Sequence, residues 1–295
     1  MDTPNIKDWI SAARFRTLPL ALSSIIMGAF LAVHSNIFRW PVFSLACLTT
    51  ILLQVLSNFA NDYGDTQNGA DSVDRVGPAR AVQSGRISTQ QMFKAIIFMA
   101  MLSIISGVSL IYIAFGGFSK LFWLFFGIGI LSIAAAYSYT AGKRPYGYLG
   151  LGDISVFLFF GLLGVIGSYF LYSSSFDIMV IWPAIACGAL ATGVLNINNL
   201  RDIDTDGNAG KITIPVRLGR HKTLIYHWSL LLLAIVCTVL FLKDIENFRY
   251  YFLISFVLIL LNGFQVSKSK NPDPYLKTLA LTSLVFVILL GISII

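Results

Sequence analysis

Carboxylates and carboxamides recur at helical spacing in two short stretches of this chain, each at the end of a long apolar run. The first reads Asn58-Phe-Ala-Asn61-Asp62-Tyr-Gly-Asp65 and continues to Asp71 and Asp74. The second reads Asn196-Ile-Asn198-Asn199-Leu-Arg201-Asp202-Ile-Asp204-Thr-Asp206. Seven of the fourteen acidic residues fall in these stretches. Carboxylates crowded this way repel one another unless a cation joins them, and a divalent metal carrying a phosphate ligand is the usual cation. On a continuing helix Asn58 and Asp62 are four apart and Asp62 and Asp65 three apart, so one face presents an amide and two carboxylates. Asn198, Asp202 and Asp206, each four apart, form a second face, with Asn199 beside it. Two such faces meeting across a bundle suit Mg2+, which prefers one or two carboxylates plus substrate phosphates to a full protein cage. Asp62, Asp65, Asp202 and Asp206 are therefore the candidate metal ligands and catalytic carboxylates, and Asn58 and Asn199 complete the candidate catalytic set.

Cations accompany both stretches. Arg75, Arg80 and Arg86 follow the first, Arg201 stands inside the second, and Lys211 and Arg217 follow it. Arginine is suited to bidentate contact with a diphosphate, so these side chains are expected to clamp the oxygens the metal leaves free. The competing reading of each is a topology determinant or a partner for a nearby carboxylate. A metal-held diphosphate at the mouth of an apolar bundle implies a lipid diphosphate whose tail lies among the helices. Charge stabilisation of the departing pyrophosphate is the chemistry such a site performs. The allylic cation left behind needs a dry pocket with π-faces, for which Phe59, Tyr63, Tyr137, Tyr139 and Phe157 are candidates. In a chain with 14% aromatic residues, each of these is individually more often packing. The histidines His34, His221 and His227 stand outside any constellation, and no nucleophilic triad or Walker loop is visible.

The elements that must position these groups are membrane helices. Of 295 residues, 56% are apolar and only 12% charged, with one glutamate, Glu246; a soluble domain carries about 25% charged residues. Mean hydropathy is +0.77. Nine apolar runs are expected to span the bilayer, about 18–34, 41–61, 93–115, 120–139, 153–172, 178–199, 223–242, 248–267 and 275–295. Uninterrupted apolar runs exclude the alternating pattern of a barrel, so the fold class is an all-α membrane bundle, read as one domain over 1–295. The first run follows basic residues as in a signal peptide, but no small-residue cleavage site follows, and it is read as an anchor helix. With the N-terminus inside, the inner segments hold 17 of the 21 Lys and Arg residues, against Arg39, Lys120, Lys243 and Arg249 outside. That asymmetry predicts a cytosolic N-terminus and puts both acidic stretches on the cytosolic face, with the long connections 62–92 and 200–222 as a cap. The net charge of +7 is dispersed among loops, which does not make a nucleic-acid footprint. Cys47, Cys187 and Cys237 have no paired spacing and read as buried apolar residues.

At these motifs the chain resembles the UbiA superfamily of intramembrane aromatic prenyltransferases, nearest to its 1,4-dihydroxy-2-naphthoate polyprenyltransferase branch. The likeness is carried by Trp9-Ile-Ser-Ala-Ala-Arg-Phe-Arg-Thr-Leu-Pro19, by Asn61 through Asp74-Arg75-Val-Gly-Pro78 to Gln83-Ser-Gly85, by Arg144-Pro-Tyr-Gly-Tyr-Leu-Gly-Leu-Gly-Asp153, and by Asn199 through Asp206 to Gly210-Lys211-Ile-Thr213. Phe15 and Asn208 depart from the pattern, where proline and a basic residue are expected. The resemblance implies nine spans, Mg2+, polyprenyl diphosphate as donor and 1,4-dihydroxy-2-naphthoate as acceptor, with loss of pyrophosphate and CO2 to give demethylmenaquinone at the inner membrane. Position alone suggests Lys143, Arg144 and Tyr148 as the seat of the acceptor's carboxylate. The alternatives are the same chemistry on another aromatic acceptor, such as homogentisate, or an ion-coupled transporter. A transporter is expected to gather its polar groups near the midplane, whereas here they lie at one end.

Overall fold

The computed structural model describes residues 4–69 and 79–295, and among these every regular element is helical. In chain order the helices are α1 (Ile6–Ala13), α2 (Leu18–His34), α3 (Trp40–Gln67), α4 (Thr89–Phe115), α5 (Lys120–Ser138), α6 (Gly152–Val156), α7 (Ser168–Ser173), α8 (Ile181–Arg201), α9 (Ile203–Asn208), α10 (Ile214–Leu242), α11 (Phe252–Lys268) and α12 (Asp273–Ile294). A π-helix, Phe157–Gly167, joins α6 to α7 in one continuous rod. Among the described residues eight helical stretches are long and apolar enough to cross a bilayer, and α11, at 17 residues, is a shorter ninth apolar helix. At 1.5 Å per residue α11 reaches about 25 Å, close to the lower limit for spanning. The chain is a multi-pass integral membrane protein.

Local signals set the ends. Asn5 and Asp8 form a capping box at α1, and Ser88 and Gln91 form another at α4. Pro19, Pro41, Pro215 and Pro274 sit in the first turns of their helices, where no N–H is needed. Two expected boundaries move by more than four residues, and both movements concern the acidic stretches. Helix α3 runs on to Gln67, six residues beyond the expected end, so Asp62 and Asp65 remain on the helix. Helix α10 begins at Ile214 rather than 223, with a kink at Gly219 whose φ of 71° lies in the left-handed region. The connection expected over 200–222 is therefore mostly helical, being α9 and the first turns of α10.

The most enclosed helix is α8, whose small residues let neighbours approach closely. A Cβ on Gly161 of the π-helix would lie 2.7 Å from the Gly188 Cα, so both crossing points require glycine. Helix α10 packs along α8, α3 along α4, and α12 along both α2 and α8. In contrast α5 rests on α3 and α4 alone among its substantial neighbours and buries only Phe122.

Candidate active site

The described parts of both acidic stretches reach the same end of the bundle, where Ala81 and Val82, Thr140 and Lys211 from three connections contact them. The end of α3 is pressed against the turn after α5, where a Cβ on Gly64 would lie 2.4 Å from the Thr140 carbonyl carbon. Thr140 Oγ1 donates to the Ala60 carbonyl at 3.1 Å and to Asn61 Oδ1 at 3.0 Å, fixing that contact. Only a glycine at position 64 brings the helix this close.

Asp62 is 1% exposed and serves the backbone. Its two oxygens accept from the amides of Ala81 and Val82, at 3.0 and 3.1 Å, so it caps the turn that follows the first stretch. Asp65 accepts from Arg80 Nη2 at 3.2 Å and from the Tyr148 hydroxyl at 3.0 Å. Asn58 donates to the Ala13 carbonyl at 2.8 Å and to Thr17 Oγ1 at 3.1 Å, tying the N-terminal segment to α3.

In the second stretch Asp202 breaks the helix yet preserves its bonding, since its amide donates to the Asn198 carbonyl and its carbonyl accepts from the Asp206 amide. Arg201 forks onto the Asp202 carboxylate, Nε to Oδ1 at 2.8 Å and Nη2 to Oδ2 at 2.6 Å, and also pairs with Asp273 at the start of α12. Asn199 is buried on the same turn. Asp206 faces Lys211 Nζ at 3.4 Å, and its Oδ2 is buried with no hydrogen-bond partner among the described residues.

One set of contacts joins the two stretches. Lys211 Nζ lies 5.6 Å from the centre of the Tyr148 ring, and the hydroxyl of that ring donates to Asp65. Burial pushes the Asp206 carboxyl up to about 6; the charges of Asp202 and Asp65 add to the rise, and Lys211 opposes it. Burial pulls the Lys211 ammonium down, but Asp65, Asp206 and Asp202 together outweigh it and hold the group above its ordinary value. Asp65 at the end of α3 and Asp206 on α9 thus act on the same lysine.

The other expected residues are placed differently. Arg217 is exposed and donates to the Leu149 carbonyl at 2.6 Å, bracing the 146–150 turn rather than facing the carboxylates. Lys143 and Arg144 are exposed at the rim. Arg75, with Asp71 and Asp74, lies outside the described residues. Asp273 was not singled out from sequence; as an acid at the head of an apolar run, it carried the same signal as the motifs in weaker form. Tyr146 was also missed. Its hydroxyl donates to the Ala135 carbonyl and shares a hydrogen bond with Ser155, both at 3.0 Å.

Beneath this polar end lies a cavity of about 420 Å³. Asn61, Tyr139 and Tyr146 line it near the carboxylates, and apolar faces of α2, α3, α4, α5 and the π-helix form the rest. Of the aromatic residues expected as walls, Tyr139 lines it, while Phe59 packs edge-on against Trp9. A polar head over an apolar chamber fits an amphiphile. The donor set suits a hard cation: it is all oxygen, and one buried carboxylate oxygen lacks a partner. Among the described residues no three acidic, histidine or cysteine side chains converge as a metal cage, so the four expected ligands Asp62, Asp65, Asp202 and Asp206 do not meet as one set.

Residues 21–290 match the UbiA prenyltransferase family. A 1,4-dihydroxy-2-naphthoate octaprenyltransferase of Haemophilus influenzae is 47% identical, over 99% of this chain and 97% of its own length. The protein of that description in Escherichia coli is 44% identical, over 95% and 94%. Among solved structures, a UbiA homologue from Archaeoglobus fulgidus bound to DMAPP and Mg2+ superposes with a TM-score of 0.64 at 17% identity, covering 95% of this chain and 99% of that one. The apo structure of a UbiA homologue from Aeropyrum pernix K1 gives 0.69 at 16%, covering 95% and 98%. At these identities the structures speak for the fold.

Proposed function

The chain belongs to the UbiA prenyltransferase family, and from that premise we propose that it transfers a polyprenyl chain from polyprenyl diphosphate to 1,4-dihydroxy-2-naphthoate in menaquinone biosynthesis. It acts as one catalytic domain over 1–295, in the inner membrane, with its N-terminus and its site cytosolic. The relatives of that description, nearly colinear with this chain, support the acceptor. The distribution of Lys and Arg supports the orientation.

The observation that carries this reading is the link from Asp65 through Tyr148 to Lys211 and Asp206, which brings two acidic helix ends over one apolar chamber. Asp65 and Asp206 would hold Mg2+, while Asp62 and Asp202, whose oxygens are taken by the Ala81 and Val82 amides and by Arg201, would add negative charge nearby, and the bound cation would supply charge neutralisation for the leaving diphosphate. Arg80 and Lys211, which already face these carboxylates, take the remaining diphosphate oxygens, and Arg75 is placed with them by sequence. Arg201 is a positioning residue that fixes Asp202 through its fork. Asn58 anchors the entry segment, and Asn199 is buried in the last turn of α8. Lys143 and Arg144, exposed beside the 146–150 turn, would meet the acceptor's carboxylate as it enters. The prenyl C–O bond breaks as pyrophosphate leaves. The electron-rich ring forms the new C–C bond at its carboxyl-bearing carbon, and loss of CO2 returns the electron pair to the ring. The immediate product is the quinol, which oxidation converts to demethylmenaquinone.

The test is a product assay by mass spectrometry on purified protein in lipid, offering octaprenyl diphosphate with 1,4-dihydroxy-2-naphthoate and 4-hydroxybenzoate together. The expected result is the decarboxylated naphthoate product, dependent on Mg2+. Exclusive prenylation of 4-hydroxybenzoate, or flux across the membrane without chemistry, overturns the proposal.

A further inference from the structure

A second group of polar side chains lies inside the bundle where α8, α10 and α11 meet. Its members are Asn196 on α8, His227 on α10 and Asn262 on α11, none more than 1% exposed. The reaction proposed above uses none of them. Asn196 stands six residues before Asp202, about 9 Å along the helix at 1.5 Å per residue. Gly193, one turn earlier on α8, lies beside the imidazole: a Cβ there would be 3.7 Å from His227 Cε1. Asn262 faces the imidazole without closing a hydrogen bond to it. Asn196 Nδ2 reaches the carbonyl of Thr223, one turn before His227, at 3.5 Å.

The hydrogen bonds of this group do not close on one another. Asn262 Nδ2 donates to the Tyr275 carbonyl at 3.0 Å. Asn262 Oδ1, Asn196 Oδ1 and both imidazole nitrogens are buried without partners among the described residues. A neutral imidazole offers one N–H and one acceptor nitrogen. Settling that N–H on Asn262 Oδ1 leaves two acceptors, the other ring nitrogen and Asn196 Oδ1, with no protein donor for either. Turning a carboxamide over supplies N–H groups but gives up the Tyr275 or Thr223 carbonyl. Protonating the ring adds one donor but places a charge at membrane depth with no carboxylate facing it. The missing component is a small molecule with two donors, and water is that molecule.

We propose that His227, Asn196 and Asn262 hold one buried water, which donates to a ring nitrogen and to Asn196 Oδ1 and so fixes α10 against α8. The consequence reaches the candidate site through Thr223. Its hydroxyl donates to the Gly219 carbonyl at 2.8 Å, at the kink of α10. The turns beyond that kink begin at Ile214, three residues after Lys211. His227 is thus a positioning residue: the hydrated layer holds Thr223, Thr223 holds the kink, and the kink sets where Lys211 meets Asp206. The positioning role rests on the prenyl-transfer reading above; the water site does not.

The test is X-ray radiolytic footprinting of the full-length protein in lipid, read by mass spectrometry. Radicals made from a bound water oxidise the side chains beside it, however deeply these are buried. His227 should be oxidised at least tenfold faster than Phe286, an aromatic residue equally inaccessible in the apolar core. Asn196→Leu, which removes one acceptor at similar volume, should cut the His227 rate at least fivefold. A His227 rate no higher than that of Phe286, or one unchanged by Asn196→Leu, overturns the water site. Positioning is read from kinetics. His227→Leu should raise the KM for octaprenyl diphosphate at least fivefold with kcat within threefold, and His227→Gln, which restores a donor and an acceptor, should return KM to within threefold of wild type. An unchanged KM in His227→Leu, or no rescue by glutamine, overturns the positioning role. A wild-type protein that turns over no donor fails the prenyl-transfer reading instead, and the footprint still decides the water site.

Discussion

The two acidic stretches resemble each other in sequence and differ in what their carboxylates hold. In the first, Asp62 spends both oxygens on the amides of Ala81 and Val82, and Asp65 divides its oxygens between Arg80 and Tyr148. Those partners lie 15 to 83 residues away, so the first stretch organises the loops over the site. In the second, the partners are close in sequence: Arg201 for Asp202, and Lys211 for Asp206, with one buried oxygen left unpartnered. Similar spacing has produced one stretch that builds the lid and another that keeps coordinating capacity. Internal repetition of a motif is therefore a poor guide to repetition of its role.

The sharpest way to break this contrast is Asp206→Asn, which keeps shape and removes charge where the unpartnered oxygen sits. We expect a loss of about 10³ in kcat, the upper range for removing one electrostatic contributor from a preorganised site, with an unchanged thermal midpoint. Because burial first, and then Asp202 and Asp65, push this carboxyl up to about 6, its proton competes with cation binding. The Mg2+ concentration for half-maximal rate in wild type should therefore rise as pH falls below about 6, and in Asp206→Asn that added dependence should vanish. A near-normal rate in the variant would assign the second stretch a purely structural role.

Asp62→Asn probes the opposite prediction. Each hydrogen bond to a charged group contributes about 1.5–3 kcal/mol, and the amide can accept only one of the two amides now bound. Loss of thermal stability and faster proteolysis near 79–86 should accompany a fall of about 10²-fold in rate. If the rate falls while stability and proteolysis stay at wild type, Asp62 is a ligand first and a cap second. Tyr148→Phe comes next, at about tenfold. It keeps the ring under Lys211 and removes only the donor to Asp65, so its effect should appear chiefly in the Mg2+ requirement.

Most of the fold was legible because hydropathy is a cumulative signal over twenty residues at a time. What was not legible depended on single contacts. Helix α3 outruns its apolar stretch because Gly64 lets it lie on the Thr140 backbone, and no period reports an approach of that kind. The π-helix was invisible for the same reason: Gly161 and Gly164 answer to Gly188 and Ser24 on other helices. Within the site, the acidic residues announced themselves by cost, since charges at membrane depth are rarely idle. Their pairings did not: Tyr148 was expected to meet the acceptor but bonds Asp65, and Asp273 pairs with Arg201, contacts that exist only once distant segments meet.

The smallest expected effect is also the most discriminating for the cations. Arg217 follows the second stretch in sequence, as a diphosphate clamp would, yet its guanidinium is exposed and donates to the Leu149 carbonyl. That bond helps hold the turn bearing Tyr148, as does the amide of Ile212 donating to the Tyr148 carbonyl at 2.9 Å. With two bonds sharing the task, losing the exposed one costs about 0.5–1.5 kcal/mol at most, and solvent screening reduces it further. Arg217→Gln should leave kcat and the KM for polyprenyl diphosphate within about threefold of wild type. Lys211→Gln, by contrast, removes the buried charge between Asp65 and Asp206 and should raise that KM more than tenfold. If the Arg217 variant shows the larger rise, the diphosphate sits farther out, over the 146–150 turn, and the second stretch is not its main seat.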